Sequence, residues 1–143
     1  MITDAAFVSD IANEWSVVEQ LRRQWNIVRM IPGGFGGSAA VSFAPRDEFY
    51  NLPLVLVYCT LDNVLGELIR QGTVTCIRGN CFKLGDKMVS ARGAIPWLDY
   101  DLIDAGREAR NRLAHESQLV SKQDCIEYIE AIGAQLRAWN IIS

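Results

Sequence analysis

Apolar residues recur at intervals of three and four in four separate stretches of this chain, and that spacing constrains the fold more than any other feature. In the first stretch Val8, Ile11, Trp15, Val18, Leu21, Trp25 and Val28 form the stripe, with Glu19, Arg22 and Arg23 between them. It ends at Pro32-Gly33-Gly34-Phe35-Gly36-Gly37-Ser38, which no helix traverses. In the second, Tyr50, Leu54, Val57, Leu61, Leu65 and Leu68 recur, with Asn51 as the expected N-cap, Pro53 in the first turn and Gly72 as the C-cap. The third runs from Asp99 to His115, with Leu102, Gly106, Ala109 and Leu113 on one face. The fourth starts at Ser121, whose S-x-x-D spacing to Asp124 is a weakened capping box, and continues through Cys125, Tyr128, Ile129, Ile132, Leu136 and Trp139.

Four amphipathic helices without a clear interior strand pattern predict an all-α, four-helix up-and-down-type bundle. Its first connection is glycine-rich, and an irregular segment, residues 73–97, precedes the third long helix. Within that segment Thr73 to Ile77, followed by Gly79-Asn80, reads as a small hairpin, and Leu84 to Ala91 as a short helix. The glycine run 33–37 has neither the Lys nor the preceding strand of a phosphate-binding loop, so it is expected to be a flexible helix-to-helix connection. A length of 143 residues without a linker or repeat fits one domain, residues 1–143.

Composition narrows the chemistry. The four cysteines form no C-x-x-C pair and the one histidine, His115, lies far from them in sequence, so no metal site and no cofactor are expected. Cys76 and Cys81 flank a short glycine-containing stretch and would pair in an oxidising compartment. Asp4 and Asp10 interrupt the N-terminus before any apolar signal region forms, so the plainer expectation is a cytoplasmic protein with four reduced thiols. Cys59 and Cys125 are then small core residues. The apolar stretch from Leu52 to Ile69 carries Asp62 and Glu67, which marks a buried core helix and no membrane span. The formal charge of −3 disfavours a broad nucleic-acid surface. Residues 78–115, however, carry seven Lys/Arg against five Asp/Glu, enough to hold a phosphate chain locally.

The third helix has a second face. At about 100° per residue, Arg110 stands at the edge of the core stripe, followed round the helix by Ile103, Ala114, Arg107, Asn111, Asp104 and His115. Asn111 and His115 are about 40° apart and one turn separated, so their side chains are neighbours. Small and apolar residues mixed with cations, an amide and the imidazole suit partial burial against a partner. Arginine is a permanent forked cation for phosphate oxygens. Histidine takes or gives a proton near neutrality, and asparagine holds either group by hydrogen bonds. Cleavage of RNA uses two proton-transfer groups, which a two-fold dimer would supply from one histidine per chain. Against this stands a purely structural reading, in which His115 faces the helix dipole and the arginines pair with Glu108 and Asp104.

Arg110-Asn111-Arg112-Leu113-Ala114-His115 resembles the signature of the HEPN family, an Arg and a His four to six residues apart near the end of a bundle helix. The form here is R-N-x-x-x-H, with two long helices before it and one after. The resemblance implies a dimerising helical bundle with both motifs in a shared cleft. It also implies metal-independent ribonuclease activity or, in members that have lost it, a non-catalytic nucleotide-, RNA- or protein-binding role, for example as the partner of an antitoxin. Carried over, Arg110 stabilises phosphate charge, His115 is the acid or base and Asn111 positions them. Arg107 and Arg112 are added from helix geometry as phosphate or RNA contacts. The family's polar residue from the first helix is not assigned by the motif, though Glu14 and Glu19 are available.

Overall fold

The computed structural model describes residues 2–23, 27–43 and 45–143, with residues 27–29 and 41–43 described by backbone alone. It has five α-helices and one β-hairpin: α1 (Ala5–Arg23), β1 (Ile27–Pro32), β2 (Ser38–Phe43), α2 (Asn51–Arg70), α3 (Leu84–Arg92), α4 (Tyr100–Glu116) and α5 (Lys122–Ala138). The fold is thus mainly helical: the short helix expected from Leu84 is present as α3, and a small sheet is added that the periodicity did not announce.

Three of the four long helices start where a side chain satisfies free N–H groups. The Asp4 carboxylate accepts from Ala6 and Phe7 at the head of α1, Asp99 from Leu102 at α4, and Ser121 from Asp124 at α5. Helix α2 departs from expectation. A short 3-10 turn, Asp47–Tyr50, runs straight into it, and Asn51 does not cap it. The Asn51 amide instead clamps the α4–α5 link: Oδ1 accepts from Val120 N at 2.9 Å, while Nδ2 donates to the Val120 and Glu48 carbonyls, both at 3.0 Å. Gly72, at φ +80, does terminate α2 as expected.

The first helix stops at Arg23, earlier than its apolar spacing suggested. Val28 belongs to β1, and Trp25 lies outside the described residues. The glycine run is the turn of an antiparallel hairpin pairing Ile27 with Phe43 through Pro32 with Ser38. Gly33 N donates to Gly37 O, and Phe35 and Gly36 adopt φ +65 and +78, which only a nearly unhindered turn permits. Residues 73–77 form no strand among the described residues; the Cys76–Cys81 disulfide closes this loop, contrary to the expectation of four reduced thiols. Cys125 is buried as expected, whereas Cys59 is exposed.

One hydrophobic cluster extends from Ile11 and Val18 of α1 through Leu54, Leu61 and Leu65 of α2 to Ile129, Ile132 and Leu136 of α5. Helix α2 is its centre, packing on α1, α3, α4 and α5. By length and composition alone, residues 47–70 would suffice to cross a membrane, but more than half of that apolar window is buried inside this core. The fully buried Gln135 ties the irregular segment down: Oε1 accepts from Leu98 N at 2.7 Å and Nε2 donates to Pro96 O at 3.3 Å. Trp97 stands edge-on to both Tyr100 and Trp139 beside these bonds. The entry of α4 is thereby fixed on α5.

Two buried protons make the fold sensitive to alkali. Burial, reinforced by Asp124, pushes the Cys125 thiol up to about 11 from 9.0. Burial also raises the Tyr58 phenol far above 10, with the Tyr128 and Asp104 charges adding to it. A group whose folded pKa is raised stabilises fully below its unfolded pKa, and that stability is lost as pH climbs towards the folded value. Circular-dichroism melts should therefore hold steady to about pH 9 and fall beyond it, with about 2 kcal/mol lost by pH 11 through Cys125. Cys125→Ala should flatten that fall; an unchanged slope would show that the thiol is not the cause.

Candidate active site

Helix α4 carries the motif, and its approach to the core is set by Gly106. A Cβ there would lie 2.1 Å from Tyr58 Oη and 2.6 Å from the Tyr128 ring, so only glycine allows α4 to sit this close to α2 and α5. The Tyr58 hydroxyl donates to Ile103 O at 2.8 Å, pinning the same turn from the α2 side. Ile103 is fully buried and belongs to the core, not to the second face where helical spacing put it; Leu102 and Leu113 are only half-buried. The true inward line is Ile103, Gly106 and Ala109, rotated from the expected one.

That rotation turns the following residues into a cleft of about 910 Å³ between α2, α3 and α4. Arg107, Arg110, Asn111 and His115 all line it from α4. Opposite them stand Cys59, Asp62 and Asn63 of α2, and Arg78, Phe82, Lys83 and Asp86 from the disulfide loop and the start of α3. Arg112, one of the expected phosphate contacts, is exposed and does not line the cleft; its charge acts on Tyr128 of α5.

The arginines that do line it differ in kind. Arg107 Nε donates to Asp104 at 2.7 Å and Nη2 bonds Glu108, while Gly85 of α3 leaves room for the guanidinium: a Cβ there would lie 3.3 Å from Arg107 Nη1. Burial opposes its charge, but the hydrogen bonds and charges of Asp104 and Glu108 outweigh that and hold it above its ordinary value. Arg107 is therefore tied to Asp104 and Glu108 of its own helix, beside Gly85 of α3, and this is the pairing that the structural reading of the sequence anticipated. Arg110 has no ion pair among the described residues. Its Nη1 donates to Asn111 Oδ1 at 3.3 Å, and its Nε is buried without a hydrogen-bond partner. A buried guanidinium N–H left open is costly unless something accepts from it. His115 is exposed at the mouth, in the last turn of α4, where Ser117 at φ +54 ends the helix.

Carboxylates balance the cations. Asp62 pairs with Lys87 at 2.9 Å and Arg78 approaches Asp86 at 3.8 Å. Four cations, Arg78, Lys83, Arg107 and Arg110, face four carboxylates, Asp62, Asp86, Asp104 and Glu108, along the lining. The positive excess of residues 78–115 is thus largely neutralised where it matters. Among the described residues no three His, Cys, Asp or Glu side chains gather into a group able to hold a metal.

Of the two first-helix candidates, Glu14 approaches the cleft indirectly, holding Thr60 Oγ1 at 3.1 Å and the cleft residue Asn63 at 3.5 Å. Glu19 pairs with Arg22 instead. Sequence reasoning missed the opposite wall. The polar spacing of Cys59, Asp62 and Asn63 on α2 was a usable signal for part of it, and the basic excess of residues 78–115 covered Arg78 and Lys83; Phe82 carried none. No family model, no curated protein and no solved structure matches this chain.

Proposed function

We propose that this chain is a metal-independent endoribonuclease of the HEPN type, with Arg110 and His115 from two copies forming one phosphodiester-cleaving cleft. The observation that carries the reading is the buried, unpartnered Arg110 Nε in a cleft that also holds Asn111 and His115. In this reading α1, α2, α4 and α5 make the up-and-down bundle of the family, and α3 and the hairpin are additions to it. A phosphate oxygen accepts from Arg110, whose fork stabilises charge on the equatorial oxygens as the 2′-oxygen attacks. One imidazole takes the 2′-hydroxyl proton; the other, from the second copy, gives its proton to the departing 5′-oxygen. The 2′-O–P bond forms and the P–O5′ bond breaks, leaving a 2′,3′-cyclic phosphate and a 5′-hydroxyl.

The second copy has a surface to meet. Phe49 in the 3-10 turn and Leu52 and Leu56 of α2 are exposed, and the line continues along α2 through exposed Cys59 to Asn63 in the cleft itself. An apolar stripe running into the cleft suits a homodimer that shares it.

Purified protein should cleave single-stranded RNA in the presence of EDTA. His115→Ala should lower the rate by about 10²–10⁴-fold with an unchanged circular-dichroism spectrum. Cleavage that survives His115→Ala sinks the assignment. The balanced charges of the cleft favour a second reading, a non-catalytic module holding a nucleotide, an RNA or a protein such as an antitoxin. That reading expects no cleavage by the wild type, and RNA binding that weakens on Arg110→Ala.

A further inference from the structure

We propose that Phe82 is a stacking platform for an unpaired nucleobase, so that the cleft takes single-stranded RNA and refuses duplex; this rests on the phosphodiester reading of Arg110 above. Phe82 is a large aromatic ring, 82% exposed, on the wall of the cleft opposite the motif. Its exposure does not come from a loose backbone. The preceding residue, Cys81, is buried, held at φ +54 and cross-linked to Cys76, and Phe82 N donates to Asn80 Oδ1 at 3.3 Å. A ring displayed to water on a cross-linked turn is preorganised for a flat partner.

The chemistry of that partner follows from the ring's neighbours. Lys83, the next residue, is exposed, lines the same cleft and has no ion pair among the described residues. Arg78 stands on the same rim, and Arg110 and Asn111 lie across the opening. An apolar protein surface seated on Phe82 would have to cover these charges as well. A nucleotide chain matches both, a base on the ring and phosphates on Lys83 and Arg110. Duplex RNA offers no free base face, whereas a single strand does.

A fluorescein-labelled 2′-O-methyl oligonucleotide cannot be cleaved through its 2′ position and reports binding alone, by anisotropy, on the whole chain. Phe82→Ala should weaken it by about 5- to 150-fold, the range for one lost base stack, and Phe82→Trp should bind at least as well as the wild type. The same strand carrying abasic sites should bind the wild type as weakly as the intact strand binds Phe82→Ala, with no further loss when the two changes are combined. Equal binding by Phe82→Ala, by the abasic strand or by the duplex overturns the proposal, as does no binding by the wild type, the result expected if the rim seats a protein. Phe82-dependent binding without cleavage of unmodified RNA would remove the ribonuclease reading and leave the stacking site standing. Cleavage with KM unchanged in Phe82→Ala would do the reverse.

Discussion

Gly106→Ala should lower the thermal midpoint by about 6–10 °C, a loss of about 2 kcal/mol and opposite in sign to helix propensity, which by itself would add about 1 kcal/mol. The reason is steric. The new methyl would meet Tyr58 Oη and the Tyr128 ring, both partly or fully fixed, and Tyr58 is locked by its bond to Ile103 O. Either α4 moves outward or the Tyr58 bond breaks in the core. Gly66→Ala is the matching control: it too is inside a helix, but its Cβ would meet only the flexible end of Lys87 at 3.4 Å. There the propensity gain should survive as a small increase in midpoint. A neutral or stabilising Gly106→Ala would mean that α4 does not lie against Tyr58 and Tyr128, and the cleft as described would not exist.

The second large effect separates three arginines within six residues. Arg110→Ala should reduce RNA cleavage by about 10²–10³-fold in kcat with little change in melting, as expected for a donor aimed at developing charge. Arg110→Lys should recover only part of this, because an ammonium lacks the fork. Arg107→Ala should act on the fold, lowering the midpoint by leaving Asp104 and Glu108 without their cation and a gap beside Gly85 of α3. Arg112→Ala, outside the cleft, should change neither. A kcat that falls equally for Arg110→Ala and Arg112→Ala would show that net charge, not position, governs the effect.

The helices were legible because their stripes are long and their ends carry caps; Asp99, Ser121 and Gly72 behave as their types demand. The motif was legible because it lies within one helix, where spacing translates directly into neighbourhood. The hairpin was not. Apolar spacing runs on from α1 into Val28, and β2 is built largely from Ser and Ala, which carry little strand preference. Ile103 was misplaced because a three-residue core line on a helix tolerates rotation, and what chose among the rotations was a glycine meeting two tyrosines from other helices. The far wall of the cleft depends on a disulfide loop whose course no periodicity encodes. Asn51 illustrates the same limit: its type suits a cap, but a strand of backbone 69 residues away competes for it and wins.

The equal numbers of cations and carboxylates around the cleft bear on how quickly it is found. A lining that is neutral overall casts little field beyond a Debye length, so nothing draws a polyanion in from a distance. Capture then proceeds at the ordinary pace of unsteered encounters, about 10⁵–10⁶ M⁻¹s⁻¹, and hardly responds to ionic strength. In the proposed reading salt acts on departure instead, once Arg110 has closed on a phosphate. In the proposed ribonuclease reading such a protein would pass over most of the nucleic acid it meets and linger only where the strand fits.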